Sequence, residues 1–384
     1  MRNQLSLTEE DDNESSVFCW WRLAKEIKDN GHHLSIDLSK LSELTPRLKV
    51  LREMERLALV ANEGMDDLRH KLLSYRSGDF CLPTGGIKKE EMNIPPITTI
   101  LLVGFTGSGK SSLVNLMYSV LGRSGLIPFA QTSKKSSNYT TMFMEEHNVL
   151  RSVRSGFCVY DTKGLDYNQV DEGIDEFTEW MVDGIYHHQL CCRPEDGVFR
   201  SQASMESSKD SPLLTLGFKR RQVNYALVVA NLAEIYKALM KGDSKPLLST
   251  KELFYCPAIR KCNENPILIL THGDMLTTEE RIDGRIKICE LLGISETTGT
   301  YDIVCLTEHG FLADESDPVS AYGLTEAIYR ALIFSDRDHY PKRKLKDWII
   351  LCMTWFMCAL STFFAYLAYI FSKLGHHNKL KLER

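Results

Sequence analysis

Thr98–Val103 is an apolar run that leads directly into Gly104-Phe105-Thr106-Gly107-Ser108-Gly109-Lys110-Ser111. Ser112-Leu113-Val114-Asn115-Leu116-Met117 follows with apolar residues at helical spacing. The order strand, glycine loop, helix opens an α/β domain. The spacing G-x-x-x-x-G-K-S solves one chemical problem. Glycines let successive backbone N–H groups face inward and wrap a phosphate chain. Lys110 would reach the terminal phosphates, and the Ser111 hydroxyl would ligate Mg²⁺. Gly104, Thr106, Gly107, Ser108, Gly109, Lys110, Ser111 and Ser112 are therefore the expected phosphate contacts. The helix N-terminus adds positive dipole there.

Further segments supply the rest of such a site. Phe157–Gly164 reads FCVYDTKG, an apolar strand ending in D-x-x-G. Asp161 at that strand end would hold Mg²⁺, and Gly164 would offer its N–H to a γ-phosphate. Ile267–Asp274 reads ILILTHGD and resembles the [NT]-K-x-D element that selects guanine, with His272 in place of the lysine. Thr271, His272 and Asp274 are the expected base contacts. Gln131–Thr141 is a polar stretch with several hydroxyls, and Thr140 and Thr141 are the candidates for a γ-phosphate switch. After Tyr301–Leu306 the chain reads Leu306-Thr307-Glu308-His309-Gly310 rather than S-A-K.

Trp348–Phe371 is uninterrupted by charge. As a helix it would cover about 36 Å, enough for a hydrocarbon core of about 30 Å. Trp348 and Tyr369 stand where interface residues belong, and basic residues flank both ends. With few residues after it, the segment reads as a tail anchor, leaving the nucleotide site on the cytosolic side. Lys342, Arg343, Lys344 and Lys346 would face anionic lipid.

Residues 1–40 are acidic and read as disordered; 41–95 read as a helical extension and linker, with Asn62-Glu63-Gly64 as a potential break. Residues 96–340 alternate strand and helix: strands at Thr98–Val103, Met142–Val149, Gly156–Tyr160, Tyr225–Ala230, Ile267–Leu270 and Tyr301–Leu306. Helices are expected at Ser111–Leu121, Asp171–Tyr186, Thr278–Leu292 and Ser320–Phe334. This predicts a three-layer α/β domain with a mainly parallel sheet. About 187–222 and Lys241–Asn265 read as insertions without a place in it. Residues 372–384 form a short basic tail. A net charge of −5 gives no reason to expect nucleic acid. Eleven scattered cysteines without C-x-x-C spacing read as reduced thiols. His187-His188 and Cys191-Cys192 lack the spacing that a tetrahedral metal needs. Phe218-Lys219-Arg220-Arg221 reads as a solvated basic loop.

The order GFTGSGKSS, DTKGLD, ILILTHGD resembles a GTPase-like P-loop NTPase. The run LLVGFTGSGKSSLVNLMYSVL…YDTKGLD is similar to the interferon-induced protein 44 group. More distantly it resembles the immunity-associated and chloroplast Toc GTPases, some of which carry C-terminal anchors. The resemblance implies a G-domain-like fold over Thr98–Phe334, GTP and Mg²⁺ as ligands, and pairing of two copies through their nucleotide faces. Leu165 stands where many small GTPases have a water-positioning glutamine. The expected activity is therefore a membrane-anchored switch with slow GTP hydrolysis. The alternatives are a nucleotide-binding membrane scaffold that does not hydrolyse, or an ATPase using the same phosphate chemistry.

Overall fold

A computed structural model describes residues 45–82, 88–123, 129–130, 141, 143–150, 156–191, 220–261, 266–305, 317–337, 339, 341–342 and 345–382. The acidic N-terminal 40 residues lie outside that set, as do Thr140 and Leu306–Gly310. Residues 1–82 with 94–338 form one unit, and 83–93 with 339–384 another.

In the first unit the short apolar runs become the strands of one mixed sheet. They are β1 (Thr98–Val103), β2 (Phe143–His147), β3 (Phe157–Asp161), β4 (Gln189–Leu190), β5 (Tyr225–Asn231), β6 (Leu268–Thr271) and β7 (Thr300–Asp302). Their order is β4-β2-β3-β1-β5-β6-β7. β3, β1, β5, β6 and β7 run parallel, with Ile100 opposite both Val159 and Tyr225. β2 is antiparallel to β3 and β4 antiparallel to β2. The central parallel strands are buried on both faces, which is why they read as continuous apolar runs.

Alternation along each strand sorts residues to two cores. Ile100, Leu102, Phe157, Val159, Leu227 and Ile269 face one side. There they meet α1 (Pro46–Ser74), α2 (Lys110–Val120) and α8 (Pro318–Arg337). Leu101, Val103, Tyr160, Val228 and Leu270 face the other. The helices on that side are α3 (Val170–Asp183), α4 (Leu232–Met240), α5 (Lys245–Phe254), α6 (Pro257–Arg260) and α7 (Thr278–Leu292). The α/β class with a mostly parallel sheet is thus as expected from the sequence.

Two expectations change. α1 runs unbroken through Asn62–Gly64. A side chain at Gly64 would come within 3.0 Å of the Tyr322 ring on α8, so the glycine serves close helix approach rather than a break. Nor is Lys241–Asn265 a plain insertion, because α5 and α6 occupy most of it. Pro246 and Pro257 start them in the first turn, where a missing N–H costs nothing, and Leu247, Leu253 and Phe254 are buried. The bridge Ile185–Arg221 and strand β4 likewise bring both ends of the 187–222 stretch onto the sheet edge.

α1 belongs to this unit. Arg69 donates from Nε and Nη2 to Val120 O (3.0 and 2.6 Å), satisfying a terminal carbonyl of α2. Past the end of α1, the Asp336 carboxylate accepts from Tyr75 Oη, Gly78 N and Phe80 N, each at 3.0 Å. Asp336 is fully buried, so these donors have no water to turn to. Asp336→Ala should cost about 3–5 kcal/mol, read as a shift in the denaturant midpoint.

In the second unit a bridge joins Met92 to Pro341, and Lys342 N donates to Glu91 O at 2.7 Å. α9 (Leu345–Leu382) then runs as one helix. Its Trp348–Lys373 stretch is long and apolar enough to cross a membrane by length and composition. Its large apolar side chains, Trp355 and Phe371 among them, are exposed.

Candidate functional site

The strand end of β1 opens into the glycine loop, and α2 begins at Lys110 with Gly109 as its cap. Gly107 (φ 76°) and Gly109 (φ 86°) are left-handed, where a side chain would be strained. At Gly104 the constraint is proximity. A Cβ would lie 2.1 Å from Val229 O of the adjacent strand, so only glycine fits.

Lys110 folds back over this loop. Its Nζ donates to Gly104 O (3.0 Å) and Phe105 O (3.1 Å), and lies 3.4 Å from Ser108 Oγ. Burial pushes its pKa down to about 8, against the opposing pull of Asp161. Ser111 Oγ donates to Asp161 Oδ2 at 2.6 Å, and the Thr141 hydroxyl stands 3.4 Å from Ser111 Oγ. Asp161 Oδ1 is buried and, among the described residues, has no hydrogen-bond partner. Burial pushes the Asp161 carboxyl up to about 6, although Ser111 and Lys110 favour its charged form.

These shifts fix a pH signature for the ligand-free protein. The folded pKa of Asp161, about 6, lies above its ordinary 3.8, so stability falls as pH rises through that window. That of Lys110, about 8, lies below 10.5, so stability is regained only as pH rises from the first value to the second. Between about 6 and about 8 both penalties stand together. Asp161→Asn should therefore raise the melting temperature of ligand-free protein near neutrality. The gain should shrink as pH falls toward the ordinary aspartate value, which a thermal-shift series across pH would show.

The D-T-K-G segment lies directly against the loop. Thr106 N donates to Leu165 O (2.9 Å) and Leu165 N to Gly104 O (3.1 Å). A Cβ at Gly164 would lie 2.3 Å from Thr106 Cα, so the glycine is required by contact. The Tyr167 ring stacks on Phe105 with centroids 4.2 Å apart. Lys163 is buried and pairs with Glu176 of α3 at 3.0 Å.

From β6, the Thr271 hydroxyl donates to Ser108 O at 2.7 Å. The same hydroxyl oxygen lies 3.2 Å from Ala230 O and 2.9 Å from His272 Nδ1. His272 takes a left-handed conformation (φ 57°) and burial lowers its pKa. A Cβ at Gly109 would meet His272 Cε1 at 3.3 Å, so the imidazole lies along the loop. Asp274 sits exposed on the following turn. That turn is set by Gly273, where a Cβ would fall 2.4 Å from Arg281 Nε.

The fold thus brings the residues of Gly104–Ser112, Asp161, Gly164, Thr271 and His272 to the carboxyl ends of adjacent parallel strands, where ligands bind in open α/β sheets. Asn231, the last residue of β5, was not anticipated. Its Nδ2 donates to Gly107 O at 3.1 Å, while its Oδ1 caps α4. The legible signal was an asparagine ending an apolar strand three residues before a glutamate. Elsewhere, His187 Nδ1 accepts from Glu146 N (2.9 Å) and Cys191 is buried, while Cys192 lies outside the described residues. Among the described residues no group of three or more His, Cys, Asp or Glu side chains could hold a metal. Arg221 is no solvated loop cation. Its guanidinium grips Glu146 through Nε and Nη2 (2.8 and 2.6 Å) because the chain must be tied back to β2 there.

In comparisons with known proteins, no family model and no curated protein sequence matches the chain. What stands is the class: an α/β protein with a mostly parallel mixed sheet, a lysine-closed glycine loop at its strand ends, and a C-terminal helix of membrane-spanning length.

Proposed function

We propose that this chain is a membrane-anchored GTP-binding protein with slow, Mg²⁺-dependent hydrolysis, the glycine loop acting as a P-loop. One observation carries the reading. Lys110, Ser111 and Asp161 converge on one loop, and Asp161 Oδ1 is buried there without a partner among the described residues. A buried unsatisfied carboxylate oxygen is costly unless a ligand completes it. The oxygen donors Ser111 and Asp161 suit a hard divalent cation, so they would hold Mg²⁺ beside a triphosphate. A cation there supplies charge neutralisation for the phosphates. Lys110 would exchange its carbonyl partners for phosphate oxygens. Thr141, beside Ser111, and the Gly164 N–H would respond to a γ-phosphate. Asp274 and the His272 ring would frame the base. The Trp348–Lys373 helix would tether the domain to a membrane, and two copies would pair through the nucleotide faces.

A second reading, a nucleotide-binding scaffold without turnover, has its own support. Leu165 is buried, offers no polar side chain to a water, and has its N–H and C=O both bonded to the loop. Equilibrium binding of GTP and ATP to the full chain with Mg²⁺, followed by turnover at several protein concentrations, separates these. GTP should bind at least about tenfold tighter than ATP, a difference of about 1.4 kcal/mol. Equal affinities would remove the guanine assignment, and tight binding without turnover at any concentration would favour the scaffold.

A further inference from the structure

Two residues from neighbouring strands hold consecutive carbonyls of the glycine loop. Asn231 and Thr271 are register partners at the ends of β5 and β6. Asn231 Nδ2 donates to Gly107 O at 3.1 Å, and Thr271 Oγ1 donates to Ser108 O at 2.7 Å. The orientation of the asparagine amide is settled by its other bond. Its Oδ1 accepts Glu234 N at 3.0 Å as the N-cap of α4, so the NH₂ end must face Gly107. Serine, threonine or aspartate would cap the helix as well. Among these side chains only asparagine caps and donates at the same time through an amide.

The loop has need of such a tie. A Cβ at Gly107 would meet nothing within 4 Å, so its tip carries no packing of its own on that side. A trans peptide points its C=O and N–H in opposite directions. Fixing Ser108 O on Thr271 therefore turns the Gly109 N–H away from β6. Fixing Gly107 O on Asn231 leaves the Ser108 N–H directed back within the loop, to Phe105 O at 3.1 Å.

We infer that Asn231 is a positioning residue of the nucleotide site: it holds the Gly107 carbonyl against the end of β5, so that the glycine loop is shaped for phosphate before any ligand arrives. This rests on the phosphate-binding reading above. It adds a residue outside the glycine loop, the D-x-x-G segment and the base-contact turn. Preorganisation of this kind lowers the ordering cost that a ligand must overcome.

Asn231→Ser keeps a capping oxygen but replaces the two-pronged amide with a single short hydroxyl that cannot span from the cap to Gly107 O, and Asn231→Asp keeps the cap while replacing the donor with an acceptor facing Gly107 O. The full chain, in detergent, is titrated with N-methylanthraniloyl GDP and the corresponding non-hydrolysable GTP analogue. Amide hydrogen exchange over 105–109 is measured without nucleotide. The serine variant should melt within about 2 °C of the parent, bind both nucleotides about threefold to tenfold more weakly, and exchange faster in the loop. The aspartate variant should lose more affinity, its charge lying near the phosphates. A lower melting temperature with unchanged affinity and exchange would reduce Asn231 to a helix cap and overturn the proposal. Should the serine variant fail to fold, the aspartate variant is judged by the same readouts. If the parent protein binds neither nucleotide, the phosphate-binding reading fails by itself. Loop exchange in ligand-free protein still decides whether Asn231 holds the loop.

Discussion

Replacing Lys110 with alanine should weaken GTP affinity by about two to three orders of magnitude, with no loss of thermal stability. Charge-assisted bonds to phosphate in a closed site are each stronger than neutral ones, and a buried lysine has no solvent to replace them. The stability half of the expectation separates this variant from an ordinary core truncation. Lys110 sits 5% exposed with its pKa pushed down to about 8, so its charge is an unfavourable burden on the ligand-free fold. Its partners Gly104 O and Phe105 O keep other donors, Leu165 N and Ser108 N respectively. Isothermal titration with GTP and a melting curve suffice. Retention of parental affinity would remove the lysine from the site, and a large fall in melting temperature would make it structural.

Asp302→Ala should destabilise the first unit by about 3–5 kcal/mol. Asp302 Oδ1 accepts Arg281 Nη2 at 2.7 Å, and its Oδ2 accepts Nε. The two side chains are 1% and 2% exposed. Removing the carboxylate takes a two-bond, charge-assisted partner from a buried guanidinium, a larger loss than the net worth of the pair. For a unit of this size the melting temperature should fall by about 10 °C. The double variant Arg281→Met with Asp302→Leu should recover much of it, because both buried charges are then gone. The loss has a functional arm. Gly273 packs on Arg281, and it begins the turn that presents Asp274 beside His272. Discrimination between GTP and ATP should narrow in Asp302→Ala more than affinity for their shared phosphates does. Equal losses in both would uncouple this ion pair from base recognition.

The helix at Thr278–Leu292 matches the sequence expectation at both ends because its signals are local. Thr277 and Glu280 form a capping box, and Gly293 ends it left-handed. Strand β1, the glycine loop and α2 were legible for the same reason. Their burial, turn and start are written within about twenty consecutive residues. α4 and α5 were missed because, at 9 and 10 residues, each is too short for its period to stand out, and only the packing against the sheet gives Leu232, Ile235 and Leu253 their meaning. α1 was misjudged at Asn62–Gly64 because a glycine in isolation cannot distinguish a break from close contact with Tyr322.

By itself, the sequence determined the alternation of strand and helix, the glycine loop between β1 and α2, and the apolar C-terminal helix, each the product of neighbours along the chain. Only the tertiary structure decided the strand order, the burial of Asp161 with one oxygen unpartnered among the described residues, the bond from Thr271 to Ser108 O, and the tie from Asn231 to Gly107. Those four depend on residues tens to more than a hundred positions apart, 124 in the case of Asn231 and Gly107. Local pattern does not encode such meetings. They are fixed when both faces of the sheet are buried and polar groups left inside are drawn to partners from distant parts of the chain.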